Sequence, residues 1–197
     1  MIKTSIIAAA IAAFIFLGGC SKANEGSKRP VPPVAPVVQE MTHPHPPDDQ
    51  SPYYYGLIAE YESLLAEDPD NLATNIALAN AYYDSGQWRE AILYYGRALQ
   101  IDPRNPDIRT DMATSYRNLG MSEVALDQYR KALEYDPGHL NARYNIGVIY
   151  AHDRRDYAAA IHIWDDLLRI APHHPRADYM RTSIAAFKRM ATKGAHR

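Results

Sequence analysis

Residues 91–106 read AILYYGRALQIDPRNP, and residues 125–140 read ALDQYRKALEYDPGHL, the same phrase 34 positions further on. Asp-Pro stands at Asp68-Pro69, Asp102-Pro103 and Asp136-Pro137, and Ala171-Pro172 follows one residue late. A fixed period of this length predicts a stacked array, in which each unit buries its apolar face on a neighbour. Working outward from the prolines gives three units, 72–105, 106–139 and 140–174, each expected as two helices joined by a short turn.

Matched positions support that register. On the first helix Leu78, Met112 and Ile146 agree, as do Ala79, Ala113 and Gly147, and then Tyr82, Tyr116 and Tyr150. On the second, Ala91, Ala125 and Ala160 align, with Tyr95, Tyr129 and Trp164 four residues on and Ala98, Ala132 and Leu167 three beyond. That spacing makes one buried stripe per helix. Small residues let two helix axes approach, and the aromatics fill the space beside them.

On these residues the chain resembles the tetratricopeptide repeat family over 72–174. The resemblance implies an all-α solenoid of helical hairpins, three repeats with a capping helix at each end, and a role in binding proteins rather than in catalysis. Two departures stand out. Asn75, Arg109 and Arg143 replace the family's opening aromatic, which is expected to loosen the first helix's packing. The turn inside unit three reads His152-Asp153-Arg154-Arg155-Asp156, one residue longer than the turns holding Gly86 and Gly120, and is expected to be charged and exposed.

Flanking segments complete a helical domain over 52–193. Asn105-Pro106 is a cap followed by proline at the first helical position, and His174-Pro175 falls in the same phase. A C-terminal capping helix is therefore expected over 175–193, with Ala177, Met180, Ile184, Phe187 and Ala191 as its apolar stripe. Leu57, Ile58, Tyr61, Leu64 and Leu65 predict a half repeat or N-terminal cap ahead of Asp68-Pro69.

The N-terminus carries a different signal. Lys3, an apolar run from Ile6 to Leu17 and then Leu17-Gly18-Gly19-Cys20 read as a secretory signal peptide over 1–19, too short to span a bilayer. Leu-Gly-Gly-Cys resembles the lipobox of bacterial lipoproteins, which implies cleavage before Cys20, acylation (palmitate among the chains) and attachment to the cell envelope. Each buried acyl methylene contributes about 0.8 kcal/mol to such an anchor. In that class Ser21, rather than aspartate, points to the periplasmic face of the outer membrane. Cys20 is the single cysteine, so no disulfide forms within the chain. Residues 20–51 hold Pro30-Val31-Pro32-Pro33 and His43-Pro44-His45-Pro46-Pro47, and are expected to form a disordered, extended tether of at most about 3.1 Å per residue.

Chemistry is sparse along the chain. No phosphate loop, haem-attachment motif, His-Glu-x-x-His or nucleophile elbow is present, so neither an enzyme nor a cofactor is expected. His43 and His45 lack the further ligands a metal needs, and His173 and His174 read as loop and cap. With 21 basic and 23 acidic residues the net charge is −2, which with export argues against nucleic acid.

The family resemblance places a concave groove along the first helices. The residues it assigns there are Ile76, Asn80, Tyr83 and Asp84, then Thr110, Asp111, Thr114, Arg117 and Asn118, then Asn141, Tyr144, Asn145, Val148 and His152. Such a mix suits a peptide, through Asn to backbone, Tyr to apolar surface and Arg to carboxylate. Relatives that clamp an acidic chaperone tail use Lys, Asn, Asn, Lys and Arg where this chain has Ile76, Asn80, Asp111, Asn141 and Asn145, so that ligand is not expected. The expectation is a membrane-anchored scaffold for another envelope protein, in envelope, pilus, secretion or polysaccharide assembly. Alternatives are a homo-oligomeric structural lipoprotein, suggested by Tyr53, Tyr54 and Tyr55, and an accessory factor for a cell-wall hydrolase. The tether's prolines docking on Tyr83 and Tyr144 is a further option.

Overall fold

A computed structural model describes residues 51–194. The signal peptide, Cys20, the Pro-rich tether and its histidines His43 and His45 lie outside the described residues. Eight α-helices follow one another in this part of the chain: α1 (Ser51–Glu67), α2 (Leu72–Asp84), α3 (Trp88–Ile101), α4 (Pro106–Asn118), α5 (Ser122–Tyr135), α6 (Leu140–Val148), α7 (Tyr157–Ile170) and α8 (Ala177–Gly194). Each packs on the helix before and the helix after it, so the fold is an all-helical solenoid of hairpins α2/α3, α4/α5 and α6/α7, flanked by α1 and α8.

The 34-residue period has a local cause repeated at every junction. α1, α3 and α5 end just before the Asp of Asp-Pro, and α7 just before Ala171-Pro172; after each Asp-Pro a capping side chain stands three residues past the Asp, with the next helix starting directly behind it. Asn71, Asn105 and His139 accept hydrogen bonds from Thr74 N, Ile108 N and Ala142 N at 3.0, 3.1 and 3.1 Å. The same turn closes each time, with Asn71 N, Asn105 N, His139 N and His174 N donating to the carbonyls of Asp68, Asp102, Asp136 and Ala171. His174 Nδ1 accepts from Arg176 N, and α8 begins at Ala177 rather than Pro175.

The apolar core forms three clusters, each spanning adjacent helices, with Leu78, Ala79, Tyr95 and Ala98 in the first, Ala113, Leu126 and Tyr129 in the second, and Trp164, Leu167, Met180 and Ile184 in the third. Two stripe residues fall outside it: Leu64 of α1 and Ala191 of α8 are exposed.

The slot of the missing aromatic is not loosened. Asn75 is fully buried and donates from Nδ2 to Pro69 O at 3.0 Å and to Asn71 O at 2.9 Å. Arg109 donates to Pro103 O at 2.8 Å, and Arg143 to Pro137 O at 2.6 Å. A polar side chain one unit apart thus ties the same proline carbonyl, six residues upstream, back to its helix. A phenylalanine could fill the slot but has no donor to offer that carbonyl. Arg109 also lies over the Tyr135 ring at 5.3 Å and donates to Gln128 at 2.9 Å.

The long turn of unit three is absorbed as a π-helical turn, Ile149–Asp153, that continues α6. In units one and two the turn closes through Gln87 N to Tyr82 O and Met121 N to Tyr116 O; in unit three Asp156 N reaches Tyr150 O across one more residue. Gly86 and Gly120 adopt φ 78° and 76°, and Arg155 takes the matching left-handed position at φ 55°. The segment is charged, as expected, yet it is pinned. Asp153 accepts from Arg117 at 2.8 and 2.9 Å and from Ser122 at 2.6 Å, while Arg154 pairs with Glu123.

Candidate functional site

Beneath the groove face, the aromatic that recurs in phase on each second helix reaches the first helix of its own unit. Tyr95, 2 % exposed, donates its hydroxyl to Asn80 Oδ1 at 2.6 Å. Tyr129, fully buried, shares a 2.9 Å hydrogen bond with Thr114, which itself donates to Thr110 O at 3.0 Å. Asn80 and Thr114 occupy the same position in their units, and in unit three that position is Val148, which has no polar atom to meet a hydroxyl. There the aromatic is Trp164, and its Nε1–H donates instead to the Tyr144 carbonyl at 3.2 Å. Gly147 stands where the other units have alanine because a Cβ there would lie 2.1 Å from Trp164 Nε1.

These contacts divide the groove into two chemically distinct parts. Across α2 and α4 lies a cleft of about 300 Å³ lined by Asn80, Tyr83, Asp84, Tyr95, Asp111 and Thr114. Removal from water raises the Asp84 carboxyl above its usual range. The same cause, with the charge of Asp107 adding and His139 opposing, pushes Asp111 up to about 6, although the residue as a whole is exposed. Burial, then the charges of Asp111 and Asp84 together with Tyr83, raises the Tyr95 hydroxyl, so it stays a donor throughout the physiological range. Neither Asp84 nor Asp111 has a basic partner at ion-pair distance among the described residues.

Toward the C-terminus the groove is aromatic and internally satisfied. Tyr144 stacks on Trp164 and on His174, with centroids 6.2 and 5.7 Å apart, and meets Tyr179 of α8 edge-on at 6.4 Å. His152 shares a 2.6 Å hydrogen bond with the Tyr179 hydroxyl. Arg117, the one arginine assigned to the groove, is held by Asp153, whose carboxyl is lowered overall: burial raises it, but hydrogen bonds from Arg117 and Ser122 outweigh that.

Several assigned residues therefore sit elsewhere than expected. Thr110 is buried, 3 % exposed, and is not part of the cleft lining. Arg117 is neutralised rather than offered to a ligand. Ile76 packs against the first core cluster. Asn118 and Asn145 are half-buried and Asn141 is exposed, with none in the cleft lining. Sequence reading placed Asp111 on the groove face but missed Tyr95 as a cleft wall and Tyr179 as an aromatic wall. Tyr179 was findable, since it follows Tyr144 by the 35 residues of the longer third unit.

Fold and groove define a helical-repeat scaffold with a side-chain-lined face and, in its described residues, no cluster of groups fit to hold a metal. The chain carries tetratricopeptide repeats: models described as TPR repeat or tetratricopeptide repeat match residues 58–93, 79–120 and 110–175. No curated protein matches it. Among solved structures it is similar to MamA, with TM-score 0.58, 19 % identity and coverage of 76 % of this chain and 96 % of that one. It is similar also to a tetratricopeptide repeat protein from Parabacteroides merdae, with TM-score 0.59, 23 % identity and coverage of 71 % and 56 %. The first TPR of Spaghetti (RPAP3), bound to the HSP90 peptide SRMEEVD, matches with TM-score 0.54, 22 % identity and coverage of 59 % and 95 %. At these identities the likeness is one of fold.

Proposed function

We propose that this chain is a non-enzymatic scaffold, held to the bacterial envelope by lipid on Cys20, that seats a segment of another envelope protein on its groove face. The observation that supports it most is the cleft across α2 and α4, whose Asn80 and Thr114 are held from below by buried tyrosines. Residues fixed in this way lose little freedom on binding, which favours recognition over mere solvation. The absence of free positive charge separates this groove from one built for an acidic tail, since Arg117 is already paired.

The test is an in-cell photocrosslink from Asn80, Tyr83 and Tyr144, each replaced singly by a photoreactive residue. One envelope protein trapped from the groove sites supports the proposal. Self-crosslinks alone, or none, overturn it in favour of a structural lipoprotein. That second reading draws on Tyr53 and Tyr55 of α1, exposed to 65 % and 59 %. Lipid attachment is tested separately: Cys20→Ala should abolish incorporation of labelled palmitate and release the protein from membranes, and unchanged labelling would refute the anchor.

A further inference from the structure

Three features of the α2/α4 cleft point the same way. Its walls hold two carboxylates, Asp84 and Asp111, with no basic group at ion-pair distance from either one among the described residues, whereas Asp153 of the third unit is paired with Arg117. Tyr83, half-buried, adds an aromatic wall of the kind that attracts a cation to its face. Beside them, the Tyr95 hydroxyl occupies Asn80 Oδ1, which leaves the Asn80 amide N–H groups as the outward donors. Both acids are exposed at the cleft's surface, open to an incoming cation, and the neighbours that disfavour their charge leave a cost that such a cation relieves when it binds.

We propose that this cleft is a pocket for a lysine or arginine side chain carried by an extended segment of the partner, with the segment's backbone carbonyl accepting from Asn80. The inference rests on the groove reading above and specifies its ligand. Asp84 and Asp111 bracket the cationic head, Tyr83 covers its alkyl stem, and Thr114, anchored on Tyr129, closes the far wall. The cleft's volume of about 300 Å³ admits one long side chain and no folded element. Arg117 does not compete for the acids because Asp153 holds it through two hydrogen bonds.

The experiment presents the mature chain with positional-scanning nonapeptide mixtures in which one position is fixed as Lys, Arg, Gln or Glu, and binding is read by fluorescence anisotropy. The expected result is selection of Lys or Arg at one position and rejection of Glu there. A selected peptide should then lose about tenfold or more in affinity with Asp111→Asn or Asp84→Asn, and Asp111→Lys should switch the preference at that position to Glu. Far-UV circular dichroism on each variant establishes that the helices are retained, and Asp165→Asn, an exposed acid on α7, serves as the charge control expected to leave affinity unchanged. Peptides bound with no basic preference, or with affinity indifferent to Asp84 and Asp111, would overturn the cationic pocket while leaving the groove in use. No binding by any mixture would overturn the groove reading and the pocket with it.

Discussion

Replacing Gly147 with alanine should destabilise the protein by about 2 kcal/mol, against the usual direction of a glycine-to-alanine change inside a helix. On helix propensity alone the substitution gains roughly 1 kcal/mol. Here, however, the new Cβ would lie 2.1, 2.5 and 2.8 Å from Nε1, Cδ1 and Cε2 of Trp164, all well inside contact distance. The indole has nowhere to go. It is fully buried, with Tyr144 on one side, Phe187 at 6.3 Å on the other and Tyr179 edge-on at 5.7 Å. Overpacking of this sort costs about 1–3 kcal/mol, and displacing the ring also stretches its 3.2 Å hydrogen bond to Tyr144 O, worth about 1 kcal/mol more. For a domain of this size about 2 kcal/mol corresponds to a fall in Tm of roughly 4–8 °C. Denaturant titration followed by far-UV circular dichroism measures it as a lower midpoint at unchanged slope. The decisive comparison is a double-mutant cycle with Trp164→Tyr, which installs the smaller aromatic that coexists with Ala79 and Ala113 in the other units. In that background Gly147→Ala should be neutral or stabilising, and adding Val148→Thr, which rebuilds the Ala113, Thr114 and Tyr129 arrangement, should recover more. If Gly147→Ala is as stable as the parent, or costs the same with and without Trp164, the account of unit three is wrong.

Other expectations follow from the same contacts. Asp153→Asn should cost about 1 kcal/mol at pH 7, because it weakens a bidentate, partly buried pair with Arg117. Since the folded-state carboxyl is lowered, its contribution is present above the unfolded value near 3.9 and is lost as pH falls below it, so parent and variant should converge in acid melts. Arg155→Gly should raise stability by up to about 1 kcal/mol by relieving the left-handed φ of 55°, measurable as a higher denaturant midpoint. Asp111→Asn should stabilise the unliganded protein at pH 7 by less than about 1 kcal/mol after allowance for solvent screening. Its carboxyl is raised to about 6, so ionisation costs the folded state progressively between about pH 4 and 6, and the gain should be absent at pH 4 and complete above 6. A stability difference independent of pH would contradict that cause.

The hairpins were legible because their signals are local and repeated. Asp-Pro and the capping Asn71 and Asn105 act within about one helical turn, and Ala91, Tyr95 and Ala98 recur within two turns of a single helix, so a 34-residue comparison exposes them. The groove was legible only in part. A resemblance assigns positions to a face, and Asn80, Tyr83, Asp84 and Thr114 do line one cleft. It could not foresee that Thr110 turns inward or that Arg117 is already occupied, because both depend on how far one hairpin is rotated against the next. The opening-aromatic slot was misread for a related reason. Asn75, Arg109 and Arg143 look like lost packing in a pattern, whereas in space they satisfy the proline carbonyls.

By itself the sequence determined an all-helical array of hairpins and most of the buried stripe on each helix, since apolar periodicity and capping act over distances the chain crosses in a single turn or two. It also determined that unit three differs, through one extra residue and a missing glycine. Only the tertiary structure decided what that difference does. The added residue is taken up as a π-helical turn, Asp153 meets Arg117 from 36 residues away, and Trp164 rather than tyrosine requires Gly147 and accepts Val148. Such pairings are set by the register between helices, a quantity fixed by the packing of whole faces and therefore invisible in any one stretch of sequence. The same register brings Asp84 and Asp111 together in one cleft with no basic group at ion-pair distance among the described residues.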